Sequence, residues 1–176
     1  MGETILVLGG NRSGKSRFAE RLAGEREAVT YVATAMREPD DPEMVSRIER
    51  HRADRPRHWT TLEVPRDLEE ALTPLASREG AVVIDCVTLW ISNLMLGIGG
   101  GALGDSEILD AVVRAVRAGR GMPRVVWVSN EVGSGIVPAN AMARRFADLQ
   151  GMANQRLAAE SDEVHLCVAG LPIRIK

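Results

Sequence analysis

The sequence predicts an α/β fold, a mostly parallel sheet with helices on both faces. Short β-branched runs alternate with segments of helical periodicity: TILVL (4–8), VTYVAT (29–34), AVVID (81–85), RVVWVS (124–129) and EVHLCVAG (163–170). These runs are apolar nearly throughout, not at every second residue, so both faces of each strand need cover, as in a parallel sheet between helical layers. The first run also passes through a glycine-rich turn directly into a helix pattern.

The helices follow in order. In the first, Phe18 and Leu22 lie four apart on one face, and Gly24 is placed to end it. A second is expected to begin at Asp41 and Pro42, an acid before a proline at the first helical position, and to carry Met44 and Ile48 inward. DLEEALTPLAS (67–77), TLWISNLML (88–96), DSEILDAVVRAVRAG (105–119) and ANAMARRFADLQGMANQRLAAES (139–161) complete the set. The GIGGGALGD stretch (97–105) reads as a flexible break between helices, too short for a domain linker.

Composition bounds the function. A chain of 176 residues, 45% hydrophobic and 26% charged, can bury one core and is not disordered, so residues 1–176 are expected to form a single catalytic domain. With 22 basic and 24 acidic residues the formal charge is -2, which offers no broad cationic field to nucleic acid or an anionic membrane. Asp85 and Asn93 interrupt the most apolar region, so no membrane span is expected. The N-terminal MGETILVLGG has an acid where a signal peptide has bases, and a cytoplasmic location is expected. Cys86 and Cys167 lie in apolar runs without CxxC spacing and read as buried free thiols.

The strongest motif is GGNRSGKS, residues 9–16, which matches G-x-x-x-x-G-K-[ST] between a strand and a helix. It predicts a P-loop NTPase-like three-layer fold and a nucleotide site made by Gly9, Gly10, Asn11, Arg12, Ser13, Gly14, Lys15 and Ser16. Backbone N–H groups of such a loop surround a phosphate, and the following helix adds partial positive charge. Lys15 would reach the terminal phosphates, and Ser16 would offer its hydroxyl to Mg2+, a hard cation completed by phosphate and water. Asp85 ends a buried strand near the loop; it can serve Mg2+ or nucleotide, or it can cap the helix that follows. Glu131 is a similar strand-end acid with a weaker claim. The base-recognition pattern N-K-x-D of GTPases is absent, and DLQG (148–151) falls within a helix pattern.

Of the three histidines, His165 alternates within a strand and reads as structural. His51 sits among Arg47, Arg50, Arg52 and Arg55. By its residues alone it is either a packing histidine or a functional one. The combination of RIERHRADRPRHW (47–59) with SNEVGSGIVP (129–138), together with the P-loop, YVAT, VVIDCVTLWISNL and RRFADLQGMANQRLAAESDEVHLCVAGLP, resembles the bifunctional adenosylcobinamide kinase / adenosylcobinamide-phosphate guanylyltransferase family of cobalamin biosynthesis. The resemblance runs through nearly the whole chain. It implies phosphorylation of adenosylcobinamide by ATP or GTP, followed by transfer of GMP from GTP through a guanylylated histidine, whose position matches His51. It further implies nucleotide contacts at Ala33, Thr34, Ala35, Arg52, Ala53, Asp54, Arg55, Glu63 and Asp85; catalysis is accordingly expected from His51 and, by the P-loop pattern, from Lys15, with Ser16 and Asp85 as the residues expected beside Mg2+. A homotrimer is implied as well. A P-loop kinase of small metabolites without guanylyl transfer, or a nucleotide-responsive regulator, is the alternative.

Overall fold

A computed structural model describes residues 2–36, 46, 49, 52, 53 and 55–176. Seven strands form one sheet: β1 (Glu3–Gly9), β2 (Val29–Ala33), β3 (Thr60–Glu63), β4 (Ala81–Asp85), β5 (Arg124–Asn130), β6 (Glu163–Val168) and β7 (Leu171–Arg174). Their spatial order is β3-β2-β4-β5-β1-β6-β7. All neighbours are parallel except β6 and β7. The C-terminal ends of the six parallel strands therefore share one edge of the sheet, where open α/β sheets place ligands.

Alternate side chains of the strands feed two cores. On one face Leu6, Val32, Ile84 and Trp127 pack against α2 (Leu68–Leu72), α3 (Val87–Leu96), α4 (Asp105–Gly119) and α5 (Ala141–Glu160), through Leu68, Trp90, Ile91, Ile108, Val112, Leu149 and Leu157 among others. On the other, Ile5, Val7, Tyr31, Val83 and Val128 meet Phe18, Ala19 and Ala23 of α1 (Lys15–Ala23). Both faces are covered, which is why the strands read as continuous apolar runs.

The structure differs from the expectations in three places. The helix expected over 67–77 is α-helical only to Leu72 and continues as a 3-10 turn, Thr73–Leu75. Pro74 has no N–H to donate to the carbonyl four residues back, so the α ladder cannot pass it. Strands β3 and β7 were not expected; they are the two edges of the sheet, short and largely exposed, and lack the double-sided burial that produces an apolar run. Ala169 (φ 51°) and Gly170 (φ 83°) make the tight turn between β6 and β7, a hairpin in which both central residues have positive φ. In the stretch expected to be a flexible break, Gly97 caps α3 in the left-handed region and Arg66 donates to the carbonyls of Ile98 and Gly101 at 3.4 and 2.7 Å. The helix expected from Asp41 falls mostly outside the described residues, together with Met44, Ile48, His51 and Asp54; Ser46, Glu49, Arg52 and Ala53 are helical.

Candidate nucleotide site at the sheet edge

The loop after β1 is held from several sides. The Ser13 N–H donates to the Gly10 carbonyl (3.3 Å), and the Ser13 carbonyl accepts from Gly170 N–H in the β6–β7 turn (2.9 Å). Two glycines are sterically required. A Cβ on Gly9 would lie 2.3 Å from Ser13 Oγ and 2.9 Å from the Cys167 carbonyl oxygen, and Gly14 has φ 89° with Gly170 Cα 2.9 Å from its would-be Cβ. Arg12 also has positive φ (54°), so the chain turns sharply before α1. Lys15 folds its ammonium back over the loop, donating to the Gly10 carbonyl at 3.1 Å. Its charge opposes the upward pKa shifts of the Cys86 and Cys167 thiols, which burial causes. Ser13 Oγ is buried and finds no hydrogen-bond partner among the described residues.

Asp85 sits at the end of β4, two strands from the loop, and it is not the cap of α3. That role belongs to Cys86, whose Sγ accepts the Leu89 N–H at 3.5 Å, so the capping alternative for Asp85 is set aside. Asp85 Oδ2 instead accepts a hydrogen bond from the Tyr31 hydroxyl at 2.8 Å. Burial of Tyr31, and then the Asp85 carboxylate, push the phenol pKa well above its ordinary value, so Tyr31 remains a donor at neutral pH. The Thr34 hydroxyl, fully buried, donates to the Cys86 carbonyl (2.7 Å) and accepts from Cys86 N–H (2.8 Å). Asn93, buried on α3, donates to the carbonyls of Thr34 (2.9 Å) and Pro65 (2.8 Å). The ends of β2 and β4 are thereby fixed to each other and to α3.

A second group lies further along the same edge. Glu63, Ala33 and Asp85 are register partners across β3, β2 and β4. The Arg55 guanidinium stacks 3.5 Å from the centroid of the Tyr31 ring and donates to Thr61 Oγ1 at 3.2 Å, while its buried Nε has no partner among the described residues. Arg52 faces Glu63 at 3.7 Å, both more than half exposed, a pair of small energetic weight. At about 4.8 Å per strand, β3 stands roughly 19 Å from β1. The sequence-predicted residues therefore divide into a phosphate-loop pole, Gly9, Gly10, Asn11, Arg12, Ser13, Gly14, Lys15 and Ser16, and an outer pole of Arg52, Ala53, Arg55 and Glu63. Asp85, Ala33, Thr34 and Ala35 lie between the poles, and Tyr31 joins Asp85 to Arg55. His51 and Asp54 lie outside the described residues.

The sequence reading missed Tyr31, Asn93 and the polar shelf at the end of β5. The only available signal was polarity in apolar surroundings: Asn93 among leucines, and SNE closing the run RVVWV. His165, expected to be structural, contacts Glu163 Oε2 at 2.8 Å and sets its ring against Phe18. Both cysteines are free and buried.

Comparison with known proteins agrees with this geometry. The model of a family described as cobinamide kinase / cobinamide phosphate guanyltransferase matches residues 5–175. The chain belongs to this family. It is 42% identical, over 98% of its length and 99% of the relative's, to the bifunctional adenosylcobalamin biosynthesis protein CobU of Salmonella typhimurium. It is 44% identical, over 97% of its length and 96% of the relative's, to the bifunctional adenosylcobalamin biosynthesis protein CobP of Pseudomonas aeruginosa. Among solved structures, the P4 protein of bacteriophage phi6 in complex with ADP superposes with TM-score 0.51 at 16% identity, over 97% of this chain and 52% of that one. An ATPase of a bacterial type III secretion system gives 0.58 at 11% identity, over 99% and 57%. The chain spans about half of each of these two, and the likeness is one of fold. Among the described residues no helix is long and apolar enough to cross a membrane.

Proposed function

We propose that residues 1–176 act as one catalytic unit that phosphorylates adenosylcobinamide with ATP or GTP and then transfers GMP from GTP to the phosphate so formed, giving adenosylcobinamide-GDP. The observation that carries this reading is the juxtaposition, on one sheet edge, of a sterically specified P-loop with an outer pole of two arginines that follow His51 in the chain, in a protein whose family is named for both reactions.

In the first reaction the loop amides and Lys15 hold the β- and γ-phosphates while the acceptor oxygen attacks the γ-phosphorus and the nucleoside diphosphate leaves. The donor set suits Mg2+: the Ser16 hydroxyl and the Asp85 carboxylate are hard oxygens. Among the described residues no three His, Cys, Asp or Glu side chains gather into an enclosing cage, so phosphate and water would supply the rest of the shell. When bound, the ion neutralises charge on the phosphate oxygens. The Tyr31 hydroxyl orients Asp85 for that role through Oδ2.

In the second reaction a neutral nitrogen of His51 attacks the α-phosphorus of GTP, and the Pα–O bond to pyrophosphate breaks. The phosphate of adenosylcobinamide phosphate then attacks the same phosphorus and displaces His51. Arg52 and Arg55 offer planar donors to the phosphate oxygens. By the family resemblance Ala53, Asp54 and Glu63 are further nucleotide contacts, as are Ala33, Thr34 and Ala35. By the family resemblance the protein works as a cytoplasmic homotrimer. Exposed Ile136, Val137, Leu171 and Ile173 are apolar surface that an assembly would cover, and sedimentation equilibrium reads the state.

The deciding experiment uses GTP labelled on the α-phosphate. Wild type should acquire acid-labile, base-stable label, and His51→Ala should acquire none while retaining part of its kinase rate. Guanylyl transfer by His51→Ala at the wild-type rate would remove the histidine from the mechanism.

A further inference from the structure

Phosphorylation of an alcohol requires an acceptor for the hydroxyl proton, and none of the residues placed above is suited to it. Three strand ends carry a carboxylate to the catalytic edge: Glu63 on β3, Asp85 on β4, and Glu131 directly after β5. Glu63 is on the outermost strand, roughly 19 Å from β1. Asp85 already accepts the Tyr31 hydroxyl, and its register partner is Val128, two residues short of the level at which Gly9 pairs with Asn130.

Glu131 is placed differently. Strand β5 lies between the P-loop strand and the Asp85 strand, and Glu131 N–H donates to the Gly9 carbonyl at 3.1 Å, at the first residue of the loop. One carboxylate oxygen, Oε1, accepts from Gly133 N–H at 2.8 Å; Oε2 makes no hydrogen bond among the described residues. The strand end beneath it is rigid. Asn130 N–H donates to Thr88 Oγ1 on α3 (2.8 Å), and the Asn130 carbonyl accepts from Asn154 Nδ2 on α5 (3.0 Å). Ser129 Oγ, Gln150 and Asn154 close a buried triangle with contacts of 2.6–3.0 Å. Asn130 Oδ1 is buried and without a partner among the described residues. Buried polar networks of this kind fix geometry more than they add stability, and a proton acceptor is effective only when held at hydrogen-bond reach of its donor.

We propose that Glu131 is the general base of the phosphoryl-transfer step, its Oε2 taking the proton of the acceptor hydroxyl. The O–H bond breaks as the oxygen bonds to the γ-phosphorus, the bond from the γ-phosphorus to the β,γ-bridging oxygen breaks with its electron pair going to the diphosphate, and the proton rests on Glu131 until solvent removes it. This inference rests on the kinase reading given above. The self-guanylylation half-reaction has no acceptor hydroxyl and does not call on Glu131.

The test compares wild type, Glu131→Gln and Glu131→Asp, with adenosylcobinamide and ATP or GTP for the kinase step and α-labelled GTP for self-guanylylation. Glu131→Gln should lower kinase kcat by about 10²–10⁴-fold, with the nucleotide KM and the labelling rate within about 3-fold of wild type. Glu131→Asp should recover part of the loss. A kinase kcat for Glu131→Gln within about tenfold of wild type overturns the assignment, as does a parallel loss of kinase and labelling, which would mark a structural role. If wild type itself does not phosphorylate adenosylcobinamide, the kinase reading falls first and takes this inference with it.

Discussion

Gly14→Ala tests whether the loop geometry is what makes this edge a nucleotide site. Two penalties act at that position. Its φ of 89° lies in the left-handed region, which costs a residue with a Cβ about 1–2 kcal/mol. The new methyl would also meet Gly170 Cα at 2.9 Å, backbone of the β6–β7 turn that cannot swing aside like a flexible side chain, and overpacking of this kind costs about 1–3 kcal/mol. If the loop holds its shape, the urea midpoint should fall by the equivalent of about 2–5 kcal/mol at unchanged m-value. If it relaxes, the Gly170 N–H to Ser13 carbonyl bond is given up and the loss moves into nucleotide affinity, where 2 kcal/mol is about 30-fold. Urea unfolding of the free protein and calorimetric titration with GTP together capture both routes. Gly10→Ala is the internal control. Nothing lies within 4 Å of its would-be Cβ and its φ is not left-handed, so the free protein should be unchanged or gain about 0.4–1 kcal/mol from the stiffer unfolded chain. A Gly14→Ala variant with wild-type midpoint and wild-type GTP affinity would refute the reasoning.

Tyr31→Phe removes the donor to Asp85 and keeps the ring on which Arg55 stacks; the Mg2+ concentration for half-maximal kinase rate should rise roughly tenfold, the equivalent of 1.4 kcal/mol. An unchanged Mg2+ titration would mean that Tyr31 does not position Asp85. The Cys86 thiol gives an alkaline limit to stability: with an ordinary value near 9.0 in the unfolded chain and about 11 in the fold, the unfolded state binds fewer protons between those values. Stability should therefore be intact below pH 9 and fall by about 2–3 kcal/mol by pH 11. Cys86→Ser, which keeps a capping acceptor for Leu89 N–H and does not titrate, should lose less over that range in urea unfolding; an identical fall in both proteins removes the thiol as the cause.

The elements legible in the sequence were those whose burial leaves a pattern. The five interior strands are covered on both faces and show as apolar runs, and the P-loop combines a required order of residue types with steric necessity at Gly9 and Gly14. What stayed hidden had no such imprint. β3 and β7 border solvent, so half of their residues can be anything polar. Tyr31 was counted as one more apolar residue of a strand because its ring does pack in the core, and only three-dimensional placement reveals that its hydroxyl emerges beside a carboxylate on a neighbouring strand. Asp85 could be read as a cap because an acid before a helix is an ordinary N-terminal signal; the helix starts one residue later, so the cap is Cys86, and the Asp85 carboxylate is engaged by Tyr31.

The separation of the two poles has a physical consequence for a protein with two reactions. Phosphoryl transfer needs dense positive potential at the terminal phosphates, which in the proposed mechanism would come from the loop amides and Lys15 at β1. Attack at the α-phosphorus needs its charge stabilisation nearer the nucleoside, and the arginines of the outer pole stand toward β3. Putting both sets in one place would crowd cations whose mutual repulsion only a bound nucleotide could offset. Spreading them along one edge avoids that cost, and the parallel sheet makes the edge continuous by bringing every strand end to it. A buried ring, with Arg55 on its face and Asp85 on its hydroxyl, ties the outer pole to the carboxylate midway along the edge, so the placement of that carboxylate is set in part by the outer pole.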